Sequence, residues 1–326
     1  MAELLAGVDI GGTTTKMAFF TRSMRELTAW TIPTRIQDHG ETIVADICES
    51  IHAHISSLAD HQDVLVGVGV GVAGNINTKD GTVLKAFNLG WPLSVPLSKQ
   101  IRSRLHVPVE VENDANVAAL GEASFGSART AKSMVLITLG TGIGAGIIIN
   151  GEIYSGITGC AGEVGHIVVP GNQFQCSCGN TGCLETVASA NGMVRLARRM
   201  AKTYPHSSSL VEAFNSRQPI SSKEIMRLAS VEQDRLAIEV VKKVCEYLGW
   251  LVGNLINILN PASIVIGGGM AAGGNYFLQG IQQTIPRYVF AGDDSATMVT
   301  LATLGNEAGV IGAGALINSA LKKISH

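Results

Sequence analysis

Apolar residues along this chain follow two rhythms, and stretches of one alternate with stretches of the other. Leu4-Leu-Ala-Gly-Val-Asp-Ile10 is β-rich, Gly11-Gly-Thr-Thr-Thr15 breaks it, and Lys16-Met-Ala-Phe-Phe20 resumes it. That pattern predicts a strand, a glycine turn and a returning strand. Met134-Val-Leu-Ile-Thr-Leu139, Gly140-Thr-Gly-Ile-Gly144 and Ala145-Gly-Ile-Ile-Ile149 repeat the design with different letters, so an internal duplication is expected, one hairpin opening each half. Residues 64–72 read as a buried strand and 263–267 as a strand ending in glycines. Helical spacing predicts helices over 41–58, 114–125, 185–202, 232–259 and 307–321. Strands alternating with helices make an α/β architecture. No low-complexity linker separates the halves. Pattern alone places the boundary near Asn113, giving a smaller N-terminal domain of residues 1–113 and a larger C-terminal domain of 114–304, with 305–326 packing back on the first.

Composition narrows the partners. The chain has 326 residues, enough for two ordinary domains. Only 15% are charged and the formal net charge is -2, against a usual charged share of about 25%, so neither nucleic acid nor an acidic membrane is expected. The first nine residues lack a basic n-region and a long apolar stretch, and the apolar run 134–149 is interrupted by four glycines. A cytoplasmic chain follows from that reading. Thiols stay reduced there, so clustered cysteines favour metal or redox chemistry over disulfides. Cys48 and Cys245 fall in helical patterns and read as small core residues.

Gly69-Val-Gly-Val-Ala-Gly74 has the spacing of a dinucleotide fingerprint, but its glycines alternate with valines inside a strand and a turn follows, where the fingerprint needs a helix. The two hairpin turns are better phosphate candidates. Gly11, Gly12 and Thr13, and Gly140, Thr141 and Gly142, offer adjacent backbone N–H groups and threonine hydroxyls, an anion-binding concavity. Asp9 precedes the first turn and is placed to hold Mg²⁺. Gly267 and Gly268 open a third glycine cluster after a buried strand.

Three of the six cysteines stand within eight residues, in Cys176-Ser-Cys-Gly-Asn-Thr-Gly-Cys183. With His166, ten residues earlier, they make Cys₃His, the composition of a closed structural zinc site. The spacing does not match a Cys-x-x-Cys redox motif. Such a clamp would fix the loop and position the flanking carboxylates Glu163 and Glu185. Glu112-Asn-Asp114 lies between an apolar strand and a helix, where Asp114 reads either as a general base in a cleft or as a helix N-cap.

Over nearly its whole length the chain resembles the ROK family of sugar kinases, and within it the bacterial glucokinase branch. The resemblance is carried by Asp9-Ile-Gly-Gly-Thr13, Asn88-Leu-Gly-Trp91, Glu112-Asn-Asp-Ala-Asn116, Leu139-Gly-Thr-Gly-Ile-Gly144, Gly162-Glu-Val-Gly-His166, the cysteine run through Glu185, and Ile266-Gly-Gly-Gly269. It implies the actin-like ATPase (ribonuclease H-like) fold, two α/β domains with a cleft. It implies ATP-dependent phosphorylation of glucose at the 6-hydroxyl, with Asp114 as base and Asn88, Asn113, Asp114, Glu163, His166 and Glu185 on the sugar hydroxyls. ATP and Mg²⁺ would be held by Asp9, Gly11, Gly12, Thr13, Lys16, Gly140, Thr141, Gly142, Gly267 and Gly268. His166, Cys176, Cys178 and Cys183 would hold a structural Zn²⁺, with the second imidazole nitrogen of His166 serving the sugar. A homodimer or homotetramer is implied as well. N-acetylmannosamine or another hexose is the alternative substrate, and a sugar-sensing transcriptional regulator the alternative role. Two positions depart from the family pattern: Gly71-Val-Ala-Gly74 replaces the more usual Gly-Ala-Pro-Gly, and Cys160 stands where alanine is common.

Overall fold

The computed structural model describes residues 3–58, 63–91, 93–290 and 296–324. The chain divides into two compact units, the first made of Met1–Lys132, Gly146–Ala161 and Leu304–His326, the second of Ser133–Ala145 and Gly162–Thr303. These limits differ from the boundary expected near Asn113. The helix that follows Asn113 stays with the first unit because it packs along the last helix of the chain. The extreme ends of the expected N-terminal domain and of its returning helix, residues 1–2 and 325–326, lie outside the described residues.

In the first unit β1 (Glu3–Ile10), β2 (Thr14–Thr21) and β3 (Glu26–Pro33) pair antiparallel, and β4 (Val64–Val72) and β7 (Val109–Asn113) continue the sheet in parallel, in the order β3-β2-β1-β4-β7. A short hairpin of β5 (Asn75–Asn77) and β6 (Thr82–Lys85) follows β4, so strand begins where only a turn was expected. One face of the sheet buries Val68, Val70 and Val72 with Ile47 and Ile51 of α1 (Ile43–Ser57) and with Ile101 of α2 (Leu97–Leu105). The other face meets α3 (Asp114–Phe125) and α10 (Ala308–Ile324). There the glycines of β4 are required: a Cβ at Gly69 would stand 1.8 Å from the Ala313 carbonyl oxygen. The alternation that imitates a dinucleotide fingerprint is thus a strand with valines toward one helical layer and bare backbone toward the other. The helices close on each other the same way, since a Cβ at Gly312 would lie 1.7 Å from the Val117 carbonyl oxygen.

The second sheet has the order β10-β9-β8-β11-β12, formed by β8 (Met134–Leu139), β9 (Ile143–Ile149), β10 (Glu152–Ile153), β11 (Ser263–Gly267) and β12 (Met298–Leu301). In each sheet the first strand is central, the second and third lie to one side, and the fourth and fifth run parallel to the first on the other. The duplication read from the two glycine hairpins is a duplication of topology. Strand β9 carries the chain from the second unit into the first.

The second unit is otherwise helical, with α4 (Glu185–Ala188), α5 (Ala190–Ala201), α6 (Ser209–Asn215), α7 (Ser222–Ser230), α8 (Arg235–Leu259) and α9 (Gly274–Gln282). The single helix expected over 185–202 is broken at Ser189. That residue is extended, and its hydroxyl accepts from the Gly192 N–H, capping α5. Similarly α8 begins three residues later than expected because Asp234 caps it, accepting from the Ala237 N–H at 2.9 Å. Cys48 on α1 and Cys245 on α8 are both buried. Among the described residues no helix is long and apolar enough to cross a membrane.

Candidate active site

Parallel strands end together, and in the first unit that brings chemistry to one edge. Asp9 pairs with Gly71 and Gly71 with Glu112, so the ends of β1, β4 and β7 are level, and the Val117 side chain of α3 packs where a side chain on the middle strand would stand. Beyond Asp9 the turn of Gly11, Gly12 and Thr13 closes with the Gly11 N–H on the Thr14 carbonyl, 3.0 Å. Lys16 lies opposite Asp9 on β2. Its ammonium donates to the Asn306 carbonyl (2.6 Å) and to Glu307 Oε1 (3.0 Å). Asn88 is exposed, in a single 3-10 turn whose neighbours hold it there. Leu89 is fully buried and the Trp91 indole donates to the Gly40 carbonyl at 3.2 Å.

Past β7 the chain enters α3, and the N-cap is Asn113, not Asp114. Asn113 Oδ1 accepts from the N–H groups of Ala115 (2.9 Å) and Asn116 (3.4 Å), and Nδ2 donates to the Gly74 carbonyl at 3.1 Å. The same side chain also hydrogen-bonds the Asp114 carboxyl, lowering it. Asp114 is therefore released from capping and stands as the first helical residue, its Oδ1 also accepting from Ala115 N–H. Burial pushes its carboxyl above the ordinary range, against the lowering by the Ala115 N–H. Asp9 is raised to about 6, first by burial and then by the charge of Asp114, with Lys16 pulling the other way. A buried carboxyl held toward neutrality can take a proton from a hydroxyl more readily than an exposed one.

In the second unit the turn of Gly140, Thr141 and Gly142 follows β8 and is tied to α5, whose Ala190 N–H donates to the Gly140 carbonyl at 2.9 Å. A Cβ on Gly142 would stand 2.6 Å from Glu185 Oε2, so the carboxylate lies directly against this turn. A cavity of about 280 Å³ opens here, with Thr141, Gly142, Glu185, Asn191 and Arg195 in its walls. Gly267 ends β11 beside β8, and Gly268, at φ +82, admits no side chain because the Leu139 backbone lies 2.6 Å from a Cβ placed there. Beyond it a second cavity, of about 340 Å³, has Met226, Met270, Val231, Lys223 and Arg227 in its walls.

The cysteine loop is built by short bridges, Val168 with Cys183 and Gln175 with Thr181. These bring the ligating atoms of His166, Cys176, Cys178 and Cys183 within 4.8 Å of one another. His166 presents Nδ1 to the Cys176 sulfur at 3.7 Å and Nε2 to Glu163 Oε2 at 3.7 Å. Cys178 and Cys183 are 3.6 Å apart, and Cys176 Sγ lies 3.0 Å from Glu185 Oε1. Burial pushes the Cys176 thiol up to about 12 and raises Cys183, while the Asn180 N–H lowers Cys178. Only a bound cation would draw the protons from Cys176 and Cys183, since thiols ligate as thiolates.

Sequence reasoning missed Glu307, Arg195 and the two methionines. Only Gly305-Asn-Glu-Ala-Gly309, a glycine-flanked acid before an apolar helix, carries a signal that could have found any of them. Cys160 is exposed and has no evident part in either group.

Residues 5–320 match the ROK family. The chain belongs to that family. This ROK protein is 42% identical over 312 residues, 95% of its own length and 94% of the other's, to a glucokinase of Halalkalibacterium halodurans. It superposes with a TM-score of 0.76 and 33% identity, covering 97% and 99% of the two chains, on a ROK family glucokinase from Streptomyces griseus in complex with glucose and AMPPNP. A xylose repressor of Caldicellulosiruptor bescii is 30% identical over 285 residues, 87% of this chain and 70% of the repressor. The fold is that of the actin-like ATPases, with mixed α/β sheets in two units.

Proposed function

We propose that this ROK protein transfers the γ-phosphoryl group of MgATP to the 6-hydroxyl of glucose, giving glucose 6-phosphate and ADP. The observation that carries the proposal is Asp114, a buried carboxyl raised by its surroundings and freed from capping by Asn113. Asp114 takes the proton of the 6-hydroxyl as that oxygen bonds to the γ-phosphorus. The bond from the γ-phosphorus to the bridging oxygen of ADP breaks. Little covalent work is asked of the protein, so positioning and charge do most of it.

Asn88, Asn113, Asp114, Glu163, His166 and Glu185 are the groups proposed to pair the sugar hydroxyls. The turn of Gly11, Gly12 and Thr13, with Asp9 and Lys16, and the glycines Gly140, Gly142, Gly267 and Gly268 with Thr141, are those proposed for phosphate and Mg²⁺. The cavity beside Gly269, with its two methionines, suits the flat apolar faces of a nucleoside base.

The donor set of His166, Cys176, Cys178 and Cys183 fits a structural Zn²⁺. Tetrahedral zinc with three thiolates and one imidazole has ligand-to-ligand edges of roughly 3.4–3.8 Å; two of the six separations are 3.6 and 3.7 Å, and the whole set lies within 4.8 Å, so a small inward turn of the side chains closes it. Bound there, the ion would supply a fixed loop shape. His166 then keeps Nε2 and Glu163 turned to the sugar.

A coupled ADP-release assay tests the reading. Glucose should release ADP from ATP with one glucose 6-phosphate formed per ADP. Tight glucose binding with no ADP released would overturn the reading in favour of a sugar-sensing regulator; a xylose repressor is among its relatives.

A further inference from the structure

Glu112 sits one residue before the Asn113-Asp114 pair, 5% exposed, and takes part in no ion pair among the described residues. Its carboxylate instead accepts three hydrogen bonds. Oε1 accepts from the Asn113 backbone N–H at 2.8 Å and from Asn116 Nδ2 at 3.1 Å, and Oε2 accepts from Ser155 Oγ at 2.8 Å. The donors come from three places: the end of β7, the first turn of α3, and the segment after β10.

The arrangement is costly, which argues that it is not incidental packing. A carboxylate has been buried without an ion pair, and a group of that kind must be hydrogen-bonded to be tolerated. Asn116 is 1% exposed and turns Nδ2 to Glu112, leaving its own Oδ1 without a partner. An unpaired buried acceptor costs about 1–3 kcal/mol. Flipping that amide would pair nothing better and would set two oxygens face to face. Glu112 also borders a cavity of about 470 Å³ together with Ser155, Glu110 and Lys323. Its side chain is therefore not wedged in place by neighbours on every side, and the three hydrogen bonds fix it.

Those bonds act on Asp114. The Asn113 N–H is held by Glu112, the Asn113 side chain caps Ala115 and Asn116, and Asp114 accepts from the same Ala115 N–H. The peptide unit before Asn113 and the one after Asp114 are thus both held, the first of them by Glu112. We propose that Glu112 is a positioning residue for Asp114, and that Ser155 acts through Glu112 to hold it. The proposal rests on Asp114 as the base of the sugar-kinase reading.

The test is a cycle of Glu112→Ala, Glu112→Gln, Ser155→Ala and the double variant Glu112→Ala/Ser155→Ala. Each is followed by steady-state kinetics and by hydrogen exchange of the Ala115 and Asn116 amides. Glu112→Ala should lower kcat about 10- to 100-fold, the usual cost of a small misplacement, with a smaller change in KM for glucose. Glu112→Gln should restore kcat to within about threefold, because its oxygen still accepts from Asn113 and Asn116 and the Ser155 hydroxyl can turn to accept from its amide. Ser155→Ala should lower kcat several-fold alone and have no further effect in the Glu112→Ala background. Exchange at Ala115 and Asn116 should speed in Glu112→Ala and not in Glu112→Gln. Unchanged kcat in Glu112→Ala, additive losses with Ser155→Ala, or a Gln variant as poor as Ala would each overturn the proposal. If the unaltered protein releases no ADP with any sugar, the kinase reading fails by itself. The exchange rates then decide whether Glu112 pins the turn, and unchanged exchange in Glu112→Ala would overturn that too.

Discussion

Gly309, near the start of α10, lies beneath the carboxylate of Asp9: a Cβ there would stand 2.5 Å from Oδ2. Real Cβ atoms do not come so near, and Asp9 would have to swing away. Gly309→Ala should therefore act as an indirect substitution of Asp9. The Mg²⁺ concentration for half-maximal turnover should rise and kcat fall by about 10-fold or more, since misplacing a metal-holding carboxylate costs at least that. A titration of activity with Mg²⁺ at fixed ATP checks this. Unchanged Mg²⁺ dependence would remove Asp9 from the metal-holding role.

Asp9 also gives the protein a pH dependence of stability. Its carboxyl is raised from the usual 3.8 to about 6, so between those values the folded state keeps a proton that the unfolded chain has lost. Stability from this group is intact below about pH 4, falls as pH rises, and is fully lost above about pH 6. Two pKa units correspond to roughly 3 kcal/mol, an upper figure for a carboxyl that is not wholly buried. Asp9→Asn should flatten that part of the stability curve and melt higher than the unaltered protein at pH 7 to 8, while losing turnover. Denaturant melts at a series of pH values would decide it. An unchanged slope would mean that Asp9 is not strained.

Much of this was readable in advance, and the failures have causes. The two glycine hairpins, the buried strand 64–72 and the 114–125 helix stand where their periodicity put them, because each is an apolar run bounded by strong breakers. The Cys₃His cluster was legible because its ligands lie within eighteen residues. Ser189, in contrast, breaks a helix that spacing alone extends, since a serine inside an amphipathic run carries no mark of which helix it caps. Glu307 and Gly309 reach Lys16 and Asp9 from almost three hundred residues away, and only the sheet brings them together. The pairing of Glu112 with Ser155, forty-three residues apart, is invisible for the same reason.

Asp114→Asn should lower kcat by about 10²- to 10⁴-fold, the usual worth of a general base. The amide keeps an acceptor for the Ala115 N–H, so the fold should not suffer. Glucose binding should survive because a hydrogen bond to the hydroxyl remains possible. Glucose titration alongside steady-state kinetics separates the two effects, and near-normal turnover would leave Asp114 a structural residue.

Elemental analysis should find one zinc per chain, and Cys178→Ser should lose it. Cys178 is the exposed member of the set, so the substitution removes a ligand without opening a core. Loss of metal should loosen the segment between His166 and Cys183 and weaken glucose binding through Glu163 and Glu185, by about 10- to 100-fold for a disturbed ligand shell. Metal-free protein with normal sugar affinity would separate the cluster from the sugar.

The sugar itself follows from what the proposed site asks of each hydroxyl. Asn113 is committed through its oxygen to the N–H groups of Ala115 and Asn116 and through its amide to the Gly74 carbonyl and Asp114, so it can meet a hydroxyl in one direction only. His166 has Nε2 alone left over, and Glu163 shares it. Groups so committed cannot turn to follow an inverted hydroxyl, and a misdirected one leaves a protein group desolvated and unpaired. Galactose, inverted at C4, should have kcat/KM lower than glucose by about 10²-fold or more on that ground. At C2 the expectation is glucose above mannose and N-acetylmannosamine, by a smaller margin. Progress curves for glucose, mannose, allose, galactose and N-acetylmannosamine at equal enzyme would measure each ratio. A higher kcat/KM for N-acetylmannosamine than for glucose would reassign the substrate and leave Asp114 as the base of the same reaction.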